Sequence, residues 1–203
     1  MAVRKPVAHL LRVDPAFQGI VASAPDFAVH GRQQGDYFNA LVRAIVYQQL
    51  AGKAAAAIHG RFLAIFGGEP VPAAILATPE EALRAAGLSN AKTLAIRDLA
   101  LKSTDGTVPL ERIERLPDDE IVARLSAVRG IGRWTAEMFL IFQLGRQDVW
   151  PVDDLGVRRG YAEIHHLSQW PKPKELQALG EIYRPYRTAA AWYCWRTADI
   201  IDF

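Results

Sequence analysis

Two adjacent carboxylates, Asp153 and Asp154, close the run Pro151-Val152-Asp153-Asp154. A carboxylate held at a reacting centre stabilises developing positive charge and can orient or deprotonate an attacking water. The same pair after a proline is also the ordinary start of a helix, with one acid as its N-cap. Gly132 stands 22 positions before Asp154 and closes the triplet Gly130-Ile131-Gly132. Two glycines around one apolar residue allow a tight turn whose backbone N–H groups lie bare beside the next helix, a site suited to a phosphate. Ile131 should tuck between the flanking helices, while Gly132 should relax the turn and leave the phosphate room. Taken alone, such a triplet serves equally as a plain corner between helices. The histidines His30, His59, His165 and His166 show no metal-ligand spacing. Cys194 is the single cysteine, which excludes an internal disulfide framework and a cysteine-ligated cluster.

The elements that must position these residues are helices. Residues 37–50 set Phe38, Leu41, Ile45 and Val46 on one stripe at helical spacing. Gly52 interrupts, and residues 53–66 read as a second helix stopped by Gly67-Gly68. Thr78 reads as an N-cap, with Pro79 in the first position and Glu80 and Glu81 in the first turn of a helix ending at Gly87. Helical pattern continues over 89–101, 110–116, 117–128 and 134–144, a helix is expected to begin near Leu155, and 186–201 is the last strongly apolar stretch. Residues 170–174, with two prolines, read as a turn. Period-two alternation is not sustained anywhere, so the predicted class is all-α with little or no sheet.

The chain has 203 residues, half of them apolar and 23% charged, the composition of an ordinary globular protein. It holds no run of roughly 20 apolar residues such as a membrane span needs, and no secretory h-region near its start. No membrane role is expected, and a cytoplasmic, reducing compartment (the bacterial cytosol and its nucleoid) is. The net charge of +2 is unevenly spread. Residues 1–61 carry 7 Lys/Arg against 3 Asp/Glu, residues 62–123 carry 6 against 10, and residues 124–203 carry 11 against 9. A polyanion would therefore be met by the two ends of the chain rather than the middle.

The segment Gly130-Ile131-Gly132-Arg133-Trp134-Thr135-Ala136, followed by Pro151-Val152-Asp153-Asp154, resembles the helix-hairpin-helix (HhH-GPD) superfamily of DNA glycosylases. The likeness extends over about residues 37–195 and takes in Gln48-Gln49 and Gly87-Leu88-Ser89 with Lys92. Within that superfamily the chain is similar to the bacterial DNA-3-methyladenine glycosylase II group. The resemblance implies two helical subdomains flanking a DNA-binding cleft. One is expected over 37–145, including the hairpin 129–133, and the other over 1–36 with 146–203, containing the catalytic loop; together 1–203 form a single glycosylase unit. The N-terminal β-rich domain of the best-known bacterial members is expected to be missing.

The same resemblance implies the site. Asp154 is the catalytic carboxylate, and Asp153 is expected to support the loop or cap the helix near Leu155. Trp134, Met138 and Trp195 are the expected substrate pocket, where electron-rich rings favour a cationic alkylated purine. The family commonly has an aromatic where this chain has Met138. In bifunctional relatives such as endonuclease III a lysine stands at the position of Trp134 and attacks the sugar. Tryptophan cannot do so, which implies hydrolysis without lyase activity. The hairpin Arg129, Gly130, Ile131, Gly132 and Arg133 is expected on DNA phosphates. Gln49 or Leu50 should fill the gap left by the flipped nucleotide, with Gln48 touching the opposite base. No cofactor is expected beyond a Na+ or K+ that main-chain carbonyls of Ser126, Val128 and Ile131 would bind. The implied partner is double-stranded DNA carrying damaged bases, met by a monomer. Two alternatives stand beside the alkylbase glycosylase: the same fold acting on deaminated or oxidised bases, and a non-catalytic helix-hairpin-helix DNA-binding protein.

Overall fold

The computed structural model describes residues 5–24, 27–29 and 36–198. His30, the outer parts of the expected subdomain segments and the last residues of the stretch 186–201 lie outside them. Among the described residues there are twelve α-helices and no strand. In chain order they are α1 Lys5–Val13, α2 Gln18–Ser23, α3 Tyr37–Tyr47, α4 Gly52–Phe66, α5 Pro72–Ala77 and α6 Glu80–Ala85. After them come α7 Asn90–Thr104, α8 Asp118–Ser126, α9 Arg133–Phe142, α10 Leu155–Ile164, α11 Pro173–Leu179 and α12 Arg187–Thr197. The chain divides into two compact units, Arg32–Phe139 and Met1–Gly31 with Leu140–Phe203.

In the unit Arg32–Phe139, α7 is the central helix and packs on α3, α5 and α6. Ser89 caps it, its side chain accepting the Lys92 N–H at 3.3 Å. Ala95, Ile96, Leu99 and Ala100 of α7 are buried, as is the predicted α3 stripe of Phe38, Leu41, Ile45 and Val46. Asp36 caps α3 through the Asn39 N–H at 3.0 Å. Thr78 is not the cap the sequence suggests. It closes α5, and its hydroxyl donates back to the Ala74 carbonyl at 2.8 Å, so the position before α6 falls to Pro79. A threonine hydroxyl can serve either the preceding carbonyl or the following N–H, and here the preceding helix claims it. Residues 110–115 form a 3₁₀ turn rather than an α-helix.

In the other unit, α10 and α12 form the principal packed pair. Gly160 permits the close crossing, because a Cβ there would overlap the Cys194 backbone of α12. Burial raises the Cys194 thiol pKa well above its ordinary value, with Asp14 and Asp154 adding to the shift. Thr188 of α12 ties down the loop ahead of the paired carboxylates. Its hydroxyl accepts the Val149 N–H at 3.0 Å and donates to the Arg146 carbonyl at 2.8 Å. The expected turn at 170–174 contains the start of α11: Pro173 occupies the first helical position, where its missing N–H costs nothing.

Candidate active site and nucleic-acid interface

Asp154 is half-buried at the head of α10 and is the cap of that helix. Its Oδ1 accepts the Val157 N–H at 2.9 Å and the Trp195 indole N–H, also at 2.9 Å. Two donors on one oxygen leave the carboxylate a single orientation. The capping role expected of Asp153 therefore belongs to Asp154, and Asp153 is exposed. The close α10–α12 crossing at Gly160 is what brings Trp195 within reach.

Trp195 departs from its expected place as a pocket wall. It is 1% exposed and stacks on Phe142 with ring centroids 5.7 Å apart and 28° between planes. In this packing the ring has no face to offer a flipped base; its N–H holds the carboxylate instead. Trp134, in contrast, exposes 45% of its surface in the first turn of α9. Met138 follows one turn later and is half-buried, so the two share a helical face in the unit Arg32–Phe139.

The glycine triplet lies between α8 and α9. The Val128 N–H bonds to the Leu125 carbonyl at 3.0 Å, and the Ile131 N–H bonds to the Val128 carbonyl at 3.1 Å. Ile131 is 3% exposed and fills the inside of the turn, while Arg129, Gly130, Gly132 and Arg133 are exposed. The two glycines have different jobs. Gly130 has φ of 77°, and a Cβ there would stand 3.2 Å from the Ala95 side chain of α7. Gly132 has an ordinary φ, and a Cβ there meets open space. The conformational demand expected at Gly132 therefore sits at Gly130, and Gly132 leaves room outside the turn. Arg133 pairs with the buried Glu137 at 2.8 Å.

Beside the hairpin, in the same unit, lies the turn that ends α3. Gln49 has φ of 57°, the left-handed region that residues other than glycine seldom adopt. Gln49 and Leu50 are both exposed, Leu50 at 38%. Gln48 reaches the hairpin: its side-chain amide donates to the Gly130 carbonyl at 3.0 Å. The Lys92 ammonium donates to the Val46 and Gln48 carbonyls, each at 2.7 Å. Burial lowers the Lys92 pKa below the ordinary lysine value. Asp98 accepts the Arg129 N–H at 2.7 Å and pairs with Lys102 at 2.6 Å. Desolvation pulls the Asp98 pKa upward, but these hydrogen bonds outweigh it and hold the carboxyl below its ordinary value. No sequence signal marked Asp98, and Lys92 entered only as part of a resemblance.

The hairpin with its exposed glycines stands 22 positions before the doubly held Asp154 carboxylate. Residues 42–185 match the HhH-GPD superfamily of base excision DNA repair proteins. The chain belongs to that superfamily. It is 38% identical over 199 residues to DNA-3-methyladenine glycosylase 1 of Schizosaccharomyces pombe, covering 96% of this chain and 87% of the relative. A solved S. pombe 3-methyladenine DNA glycosylase in complex with abasic DNA superposes with a TM-score of 0.83 at 38% identity, over 98% of this chain and 99% of that one. A Bacillus halodurans DNA-3-methyladenine glycosidase superposes with a TM-score of 0.88 at 33% identity, over 96% and 89% of the two chains.

In this HhH-GPD chain the end of α8 offers main-chain carbonyls, hard oxygen donors of the kind a monovalent cation takes. Ser126 is the last residue of α8, where helix carbonyls lose their intrahelical partners and the dipole is negative, and Val128 lies just beyond. Among the described residues no group of three His, Cys, Asp or Glu side chains could hold a metal, and no helix is long and apolar enough to cross a membrane.

Proposed function

We propose that this HhH-GPD chain is a monofunctional DNA glycosylase of base excision repair that extrudes alkylated bases of the 3-methyladenine and 7-methylguanine type from duplex DNA and hydrolyses their N-glycosidic bond. The observation that carries the reading is Asp154, held by the Val157 and Trp195 N–H groups at the head of α10. The names of the relatives at 38% and 33% identity support the same substrate class.

The chemistry follows from these residues. As the C1′–N bond breaks, the electron pair leaves with the base and the sugar acquires oxocarbenium character. A cationic alkylated purine departs as a neutral base, which lowers the barrier before any protein group acts. The Asp154 carboxylate stabilises the sugar cation and orients the water that adds at C1′, whose proton passes to the carboxylate or to solvent. The exposed indole of Trp134 supplies an electron-rich face for a cationic purine, and Met138 beside it supplies a polarisable apolar one. Because Trp134 offers no amine, the product is an intact strand with an abasic site. The hairpin Arg129–Arg133 grips phosphates, a Na+ or K+ would be held by the Ser126, Val128 and Ile131 carbonyls and would firm the turn, and Gln49 or Leu50 fills the vacated stack. The chain acts as a monomer.

A panel of duplexes, each with one defined lesion, tests this reading. Free base should be released from alkylated purines ahead of deaminated or oxidised bases, with strands left unnicked and no adduct trapped by borohydride. Preferred release of uracil or 8-oxoguanine would overturn the substrate class, and a trapped adduct would overturn the hydrolytic assignment.

A further inference from the structure

One face of α7 carries three contacts at helical spacing, at positions 92, 95 and 98. Lys92 holds the end of α3 by the Val46 and Gln48 carbonyls. Ala95 lies beneath Gly130, 3.2 Å from where a Cβ would stand. Asp98 holds the Arg129 N–H at 2.7 Å. Positions three apart on a helix share a face, and six residues rise roughly 9 Å along the axis. The left-handed turn at Gln49 and the left-handed turn at Gly130 are thus fastened to one rigid rod about two turns apart, and Gln48 closes the frame by donating to the Gly130 carbonyl.

We propose that this face of α7 is the spacer that sets the extrusion turn at 48–50 against the phosphate-gripping hairpin, with Lys92 as the positioning residue for flipping and Asp98 as the positioning residue for the phosphate grip. The proposal rests on the glycosylase reading. Lys92 touches neither the reacting atoms nor, by this account, the DNA. It gathers two carbonyls that the end of α3 leaves without helical partners, and so keeps the chain at Gln49 in a conformation it would otherwise leave. Its partial burial, which depresses the ammonium pKa, fits a strut rather than a free phosphate ligand. Asp98 does the corresponding work at the hairpin, where its carboxylate faces the Arg129 N–H and the Lys102 ammonium.

The two anchors predict separable defects. Lys92→Met keeps the aliphatic stem and removes only the donors, so affinity for undamaged duplex should stay within about threefold of wild type. Single-turnover excision of an alkylated base from a normal pair should fall by roughly tenfold or more. On the same lesion placed opposite an abasic analogue, where extrusion is easier, the deficit should shrink to within about threefold. Asp98→Asn should show the converse, weaker binding to damaged and undamaged duplex alike and an unchanged ratio between the two lesion contexts. Thermal unfolding of both variants shows that they are folded, and if Lys92→Met is not, Lys92→Gln, polar but shorter than the lysine that spans the Val46 and Gln48 carbonyls, takes its place with the same expected split. Equal deficits in the two contexts, or none in either, would overturn the spacer. Failure of the wild-type protein to release any base would instead overturn the glycosylase reading itself, so the two failures are distinguishable.

Discussion

Replacing Trp195 by phenylalanine removes a single N–H from Asp154 and keeps an aromatic ring in the stack on Phe142. The hydrogen bond is 2.9 Å long, runs to a charged acceptor and comes from a side chain only 1% exposed. Such bonds contribute about 1.5–3 kcal/mol. If the orientation of Asp154 matters mainly in the transition state, excision should slow by roughly 10- to 10²-fold. The Val157 N–H remains on the same oxygen, so the carboxylate loses its angular restraint but not its cap. Loss of the larger ring from a filled core should also lower stability by about 1–2 kcal/mol, visible in a thermal melt. Single-turnover excision from a defined alkylated duplex measures the rate, and an isotherm on abasic product DNA measures affinity, which should hold. A double-mutant cycle gives the decisive comparison: in an Asp154→Asn background, Trp195→Phe should add almost nothing, because the group it orients is gone. A loss of equal size in both backgrounds would refute the reasoning and return Trp195 to the core.

At the hairpin, Gly130→Ala should lower the melting temperature, because φ of 77° and the Ala95 side chain at 3.2 Å both resist a Cβ. Gly132→Ala should leave the melt unchanged yet weaken binding to damaged and undamaged duplex alike, since its Cβ would stand where a phosphate approaches. The Asp98 carboxyl is held below its unperturbed value of 3.8, so its contribution to stability is complete above that value and is lost as pH falls through the lower folded value. Asp98→Asn should therefore flatten the acid limb of a melting-temperature profile and leave its neutral region with a smaller change of slope. Affinity for undamaged duplex should fall linearly in a logarithmic salt plot, with Arg129→Ala reducing the slope by about one phosphate equivalent; an unchanged slope would remove Arg129 from the phosphate contacts.

What could be read from the sequence was local. The hairpin, the helix beginning at Leu155 and the carboxylate before it depend on neighbours a few positions apart, where glycines, caps and apolar spacing act directly. The paired glycines could be seen to make a turn, but not which of them must be left-handed. That depends on Ala95, a residue of another helix. Trp195 is a pocket residue only by resemblance; its partner in the fold, Asp154, stands 41 positions away, and the close helix crossing that Gly160 permits leaves no local signal in the sequence. Lys92 and Asp98 act on backbone atoms 44 to 46 and 31 positions away respectively, and a carbonyl or an amide carries no side-chain signature to search for. Thr78 departs from its expected role through a local choice: its hydroxyl donates to the Ala74 carbonyl of α5 rather than accepting from the start of α6.

The account stands on Asp154 as the group that drives cleavage, and release of free base from methylated duplex DNA under single-turnover conditions tests this most directly. Asp154→Asn keeps a side-chain oxygen for the Val157 and Trp195 N–H groups, so the fold and the abasic-DNA affinity should survive. Wild-type protein should release 3-methyladenine and 7-methylguanine, and the variant should do so roughly 10²-fold or more slowly. Release at the wild-type rate by a folded, DNA-binding Asp154→Asn protein would contradict the account.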